Sequence, residues 1–154
     1  MTPVRCNVGW HQRGIAVVEF AIALPLLLFL MLATAEVGRL LSQYDTLTKS
    51  VRDGSRYVAA KALQPTGLIV ISSQLSTEAS HLVVTGNISG SGTAVLSGLS
   101  VSNVSVTDAG GGYVSVSASY AYTPMLGATL PTFGLGTPIS LAFPLNATVV
   151  MKAL

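Results

Sequence analysis

The chain has little cysteine, histidine, aromatic surface or charge, and each shortage excludes something. Its one cysteine, Cys6, leaves no partner for an intrachain disulfide. A lipid-anchor cysteine stands just after an apolar run, whereas Cys6 precedes one, so it reads as an unpaired thiol in a leader. The only histidines are His11 and His81. With His11 in the same leader, His81 is left with Glu78 as a helical neighbour, too little to build a metal centre or a nucleophilic triad. The glycine clusters at 86–92 and 110–112 lack the lysine and the strand-to-helix setting of a phosphate loop. No enzyme activity is expected, and no cofactor or metal. Only 9% of the residues are charged, with a net charge of +2, against about a quarter in ordinary soluble proteins. No basic run with interleaved aromatics occurs, which argues against nucleic acid as a partner.

What the chain does have is hydrophobicity, in half of its 154 residues, enough length for one modest domain. The charges that exist crowd toward the front: from Ala62 to Leu154 only Glu78, Asp108 and Lys152 are charged. They stand in a background rich in Ser, Thr, Gly and Val, a composition suited to an exported surface. Asn87-Ile88-Ser89, Asn103-Val104-Ser105 and Asn146-Ala147-Thr148 match a glycosylation acceptor, but so much Ser and Thr makes chance matches expected.

Residues 1–14 are polar, with Arg5, His11 and Arg13. Ile15 to Ala35 is apolar apart from Glu19, Pro25 and Thr34. As a helix this run rises about 1.5 Å per residue, roughly 31 Å in all, enough to cross a hydrocarbon core. The basic leader favours a cytoplasmic N-terminus, although Arg39, Lys49, Arg52 and Arg56 follow on the other flank. Val37, Leu40, Tyr44, Leu47, Val51, Gly54 and Val58 then recur at spacings of three and four, opposite Arg39, Gln43, Lys49, Arg52, Asp53 and Arg56. The pattern predicts one helix from about 15 to 63, roughly 70 Å long. Its amphipathic half has an apolar stripe for the protein's own sheet or for neighbouring subunits.

Gln64-Pro65-Thr66 ends that helix. Leu68, Ile71, Leu75, Ala79 and Leu82 predict a second one ending near Gly86-Asn87, and 86–98 reads as a flexible loop. Val101, Val104 and Val106, the turn at 108–112, and the alternation Val114, Val116, Ala118, Tyr120, Tyr122 predict a hairpin. A last run alternates over Ile139, Leu141, Phe143, Leu145, Ala147, Val149 and Met151, with Pro144 marking an edge strand or a bulge. The expected fold is α+β: a long N-terminal helix, a shorter helix and about three antiparallel strands, with the amphipathic half-helix as cover.

The segment richest in functional meaning is Arg13-Gly14-Ile15-Ala16-Val17-Val18-Glu19-Phe20. Gly14 has no side chain to keep a protease away from the backbone. Glu19 sits where an ionised group is costly in a membrane and needs something to hold it. A plain membrane helix with one snorkelling carboxylate is the simpler alternative. Further on come Ala21-Ile22-Ala23-Leu24-Pro25, then Glu36-Val37-Gly38-Arg39, then Val51-Arg52-Asp53-Gly54-Ser55-Arg56-Tyr57. Pro25 removes one helical hydrogen bond and is a possible kink. Glu36 and Arg39 are spaced to pair locally, with a contact between subunits as the alternative, and Arg52, Asp53 and Arg56 read most simply as a solvated face with local pairing.

Taken together, these motifs resemble the TadE family, whose members share E-F-A-x-x-x-P, E-x-G-R and R-x-G-A-R-like elements; here Ser55 replaces the usual alanine. The resemblance covers residues 13–59 closely and 112–152 loosely. The Gly14–Glu19 element resembles a type IV prepilin processing site. The resemblance implies a minor pilin or pseudopilin of a tight adherence (Tad/Flp) pilus. A prepilin peptidase would cut between Gly14 and Ile15, and Glu19 and Phe20 would set register between subunits. Implied partners are that peptidase, other minor pilins, the major Flp-type pilin, inner-membrane platform proteins and the lipid bilayer. Implied organisation is a leader at 1–14, a membrane helix at 15–36, its amphipathic continuation at 37–63 and an extracytoplasmic domain at 64–154, in a single-pass bacterial inner-membrane protein. The competing readings are a binding protein secreted after cleavage at Ala33-Thr34-Ala35, and an uncleaved anchor displaying an adhesive domain.

Overall fold

The computed structural model describes residues 12–125, 127, 129–130, 136–137 and 139–154. Residues 1–11 of the expected leader, with Cys6 and His11, lie outside the described residues. The chain divides into two compact units, one up to Val37 and one from Gly38 onward.

Helix α1 runs from Gln12 to Lys61 with Pro25 inside it. It begins three residues before the predicted start and ends two before the predicted end. In the first unit its side chains are almost all exposed, including Ile15, Phe20, Ile22 and Met31. It is long and apolar enough to cross a membrane, and it is the one such helix among the described residues.

In the second unit α1 stops because Pro65 follows. The Gly67 amide closes a turn onto the Gln64 carbonyl at 2.9 Å, with Pro65 in the turn position that its fixed φ suits. The chain then doubles back: Leu63 bridges Ile69, and the Val70 amide donates to Ala62 at 2.9 Å. This corrects the predicted second helix. Leu68 and Ile71 lie outside it, because the β-branched run Ile69-Val70-Ile71 takes an extended path. Helix α2 is Ser73–Thr85, capped by the Ser72 hydroxyl accepting from the Leu75 amide and ended by Gly86 at φ +71°.

The loop read as flexible is tied down instead. The Asn87 carboxamide accepts from the Ser89 amide and donates to the Ser91 hydroxyl. Val95 donates to the Val84 carbonyl, and Leu96 and Leu99 are buried. Val101, expected in a strand, lies in a short 3₁₀ turn, Val101–Asn103. Strands β1 (Val104–Gly110) and β2 (Tyr113–Ala121) then form the predicted hairpin, with a register shift between Asp108 and Gly110.

The final alternating run is not one strand. Ile139–Ser140 (β4) pairs with Thr129–Leu130 (β3) in a separate two-stranded ribbon. Strand β5 is Pro144–Lys152, and Phe143 before it is 41% exposed rather than in the core. Proline lacks the ladder donor, so it fits the first residue of an edge strand. The sheet order is β1-β2-β5, all antiparallel, which puts β5 at an edge as expected. Bonds from the Ala153 amide to Gly112 and from the Tyr122 amide to Phe143 assign the ladder bonds to odd-numbered residues of β5. The amides and carbonyls of Asn146, Thr148, Val150 and Lys152 therefore point away from β2.

One hydrophobic core fills this unit. Leu47, Val51 and Val58 of α1 with Ala62 just past its end, Leu75, Ala79 and Val83 of α2, and Val114, Val116, Ala118, Leu145 and Ala147 of the sheet are all buried. The apolar stripe of α1 thus packs inside its own domain from Leu47 onward. Tyr44, in the same stripe, is 44% exposed.

Candidate functional site

In the first unit, Gly14, Ile15, Val18, Glu19 and Ile22 line one strip of α1, as the i, i+4 spacing requires. A methyl group added at Gly14 would meet no atom within 4 Å. Among the described residues, therefore, nothing crowds that position. Glu19 is exposed on this otherwise apolar strip. It makes no salt bridge or hydrogen bond among the described residues. Because α1 starts at Gln12, Glu19 stands two turns in, beyond the first turn where the helix dipole is felt most. Phe20, beside it, is 59% exposed. Pro25 is accommodated without ending the helix.

The second group is Glu36-Val37-Gly38-Arg39 of α1. Glu36 is buried, and Gly38 has open space where a side chain would be. Arg39 donates from Nη1 to the Thr123 carbonyl at 3.3 Å. Its guanidinium lies 5.8 Å from the centre of the Tyr122 ring, which in turn packs on Phe143 at 6.1 Å.

The third group is Arg52-Asp53-Gly54-Ser55-Arg56. Its small residues face inward. A methyl at Gly54 would come within 2.5 Å of Val83 Cγ2, so glycine here lets α1 approach α2. Ser55 is fully buried, and its hydroxyl donates to the Val51 carbonyl at 2.8 Å, which is how a hydroxyl fits at this packed position. Arg52, Asp53 and Arg56 face outward and are exposed.

A family model described as TadE-like protein matches residues 14–56. This segment is TadE-like. No curated protein and no solved structure matches the chain. The TadE-like segment begins on the glycine that has open space and ends on Arg56, so it holds all three groups and stops before the turn at Pro65. Of its three glycines, only Gly54 is explained by packing within the chain.

Sequence reasoning missed one polar cluster just past the TadE-like segment. Tyr57 donates its hydroxyl to Glu78 Oε2 at 2.6 Å, Lys61 Nζ donates to that hydroxyl at 2.6 Å, and Gln74 donates to Glu78 Oε1 at 2.9 Å. The Tyr57 and Gln74 bonds pull the Glu78 carboxyl below its ordinary value. The hydrogen bond to Tyr57 pushes the Lys61 ammonium up. The i, i+4 spacing of Tyr57 and Lys61, and of Gln74 and Glu78, was the available signal; only the fold brings the two pairs together. Among the described residues no group of histidine, cysteine and carboxylate side chains is placed to hold a metal ion.

Proposed function

We propose that the protein is a minor pilin or pseudopilin of a Tad/Flp-type pilus assembly or secretion system. A prepilin peptidase removes residues 1–14, residues 15–36 span the inner membrane, residues 37–61 continue the helix outside, and residues 62–154 complete an extracytoplasmic domain. Single-pass membrane attachment rests on the exposed apolar helix and on the TadE-like match. The reading of a processed pilin goes further, and one observation supports it most. Among the described residues nothing crowds Gly14, and five residues later a carboxylate with no partner among them is exposed on an apolar strip.

Cleavage between Gly14 and Ile15 would create an ammonium at Ile15 and shorten the helix so that Glu19 lies in its second turn. That ammonium, on an adjoining subunit, neutralises Glu19 and relieves the cost of a charge in hydrocarbon. The pairing fixes axial register, and the exposed side chain of Phe20 packs between helices beside it. Its partners are the peptidase, other minor pilins, the major Flp-type pilin, platform proteins and lipid.

The deciding measurement is the N-terminal mass of protein taken from its native cells. A chain beginning at Ile15 is expected. A start at Glu36 would mean a secreted binding protein, and a start at Met1 or Thr2 an uncleaved anchor.

A further inference from the structure

The domain carries few charges, and most are already engaged. From Gly38 onward, Arg39 is held by Thr123 and Tyr122, Asp45 pairs with Lys49 at 2.6 Å, and Lys61 and Glu78 share Tyr57. Asp108 accepts from the Gly110 amide at 2.7 Å. Among the described residues, the charges without such a contact are Arg52, Asp53, Arg56 and Lys152. Three of these four fall in five consecutive residues, inside the TadE-like segment. Arg52 and Arg56 are four apart on α1, so their Cβ atoms are about 6 Å apart on one face. Gly54 and Ser55 between them are buried against α2 and the helix itself, so α1 cannot turn to hide them.

We infer that Arg52 and Arg56 form a docking fork for a neighbouring subunit, and that its ligand is a pair of carboxylates one helical turn apart on a different polypeptide. Guanidinium groups prefer such planar, bidentate acceptors. A second copy of this chain is a poor match. The carboxylate side chains of this domain are Asp45, paired with Lys49; Asp53, flanked by the same arginines; Glu78, half-buried and bound twice; and Asp108, alone on a hairpin turn. No two of them are free together on one face. Beyond α1 the domain carries only Glu78, Asp108 and Lys152 as charged side chains, so this fork gives a charge-poor domain a charge-specific contact. The inference rests on the assembly reading above, but its failure is separable, because processing and membrane insertion are read independently.

The test uses the full-length protein in its native cells, with a photo-crosslinking residue in place of Ala60, which is exposed on the same side of α1. The crosslinked peptide is expected to come from another protein and to carry Asp or Glu residues three or four apart. Arg52→Glu/Arg56→Glu should lower that crosslink about tenfold, as expected for loss of two charge-assisted contacts, while cleavage and membrane retention stay unchanged. Reversing the partner's two acids to arginine should restore it. Arg52→Lys/Arg56→Lys should keep part of the crosslink and show a steeper loss with added salt. A crosslink to a second copy, to a segment without carboxylates, or at undiminished yield in the reversed variant would overturn the inference.

Discussion

At the scale of single residues, Gly54 is where α1 and α2 approach most closely. Alanine is the better helix former by about 1 kcal/mol, yet its methyl would collide with the stiff side chain of Val83. Gly54→Ala should lower stability by about 1 kcal/mol net, since overpacking costs about 1–3 kcal/mol. In a Val83→Ala background the same change should turn neutral or stabilising. Thermal unfolding of the four proteins in detergent checks both signs. Ser55→Ala should do the reverse of what burial suggests. The hydroxyl satisfies itself on its own helix, so its removal orphans nothing, and stability should hold or rise by about 0.5 kcal/mol.

The Tyr57 cluster makes a prediction with pH. Glu78 has a carboxyl lowered from its ordinary 4.5, so its contribution is fully present above that value and fades as acid titrates it in the folded state. Lys61 is raised from 10.5, so its contribution is full below that and is lost as base titrates it in the folded state. Glu78→Gln should therefore flatten the acid side of a melting-temperature profile and leave the basic limb nearly as steep. The effect should be small, because both groups face solvent.

At the scale of elements, α1 carries the functional argument. Gly14→Ala should slow or stop maturation and leave a chain still carrying its first 14 residues, seen as a mass difference. Glu19→Ala should mature normally but co-purify with partner pilins several-fold less; an undiminished yield would refute the register role. This helix was legible from the sequence because its period and its proline-free stretch from Leu26 to Gln64 act locally. The hairpin was legible for the same reason, since strict alternation brackets a glycine turn. Two boundaries were not. Leu68 and Ile71 fit a helical spacing, yet their β-branched neighbours were drawn into a bridge with the end of α1. The alternation from Ile139 to Met151 gave no sign that its first residues pair with Thr129–Leu130 instead of with β2, because a partner strand leaves no trace in a period of two. At the candidate site, Gly14 and Glu19 were legible as motif positions. The outward aim of Arg52 and Arg56, opposite a stripe that includes Gly54, was legible too; that Gly54 meets Val83 of α2 was not, because only the fold brings those residues together.

At the scale of the molecule, two unlike surfaces share one chain: an apolar helix exposed on every side, and a domain whose surface is largely Ser, Thr and Gly. Membranes washed in carbonate should retain the protein. Lysines at Leu27, Leu28 and Phe29 should release it, because charges at mid-span cost roughly 3 kcal/mol each. Retention of that variant would point to attachment through other proteins.

The order of strands has a consequence for how such a domain is made. Strand β2 sits in the middle of the sheet, but its second neighbour, β5, is separated from it by more than twenty residues and follows it in synthesis. In an exported domain, as proposed above, β2 would wait with one side unpaired while the emerging polypeptide is already tethered by α1. A slow or stalled export step would leave that side open to whichever extended segment arrives first, a foreign one included. Domains of this plan should thus depend on a periplasmic holding factor more than their size suggests.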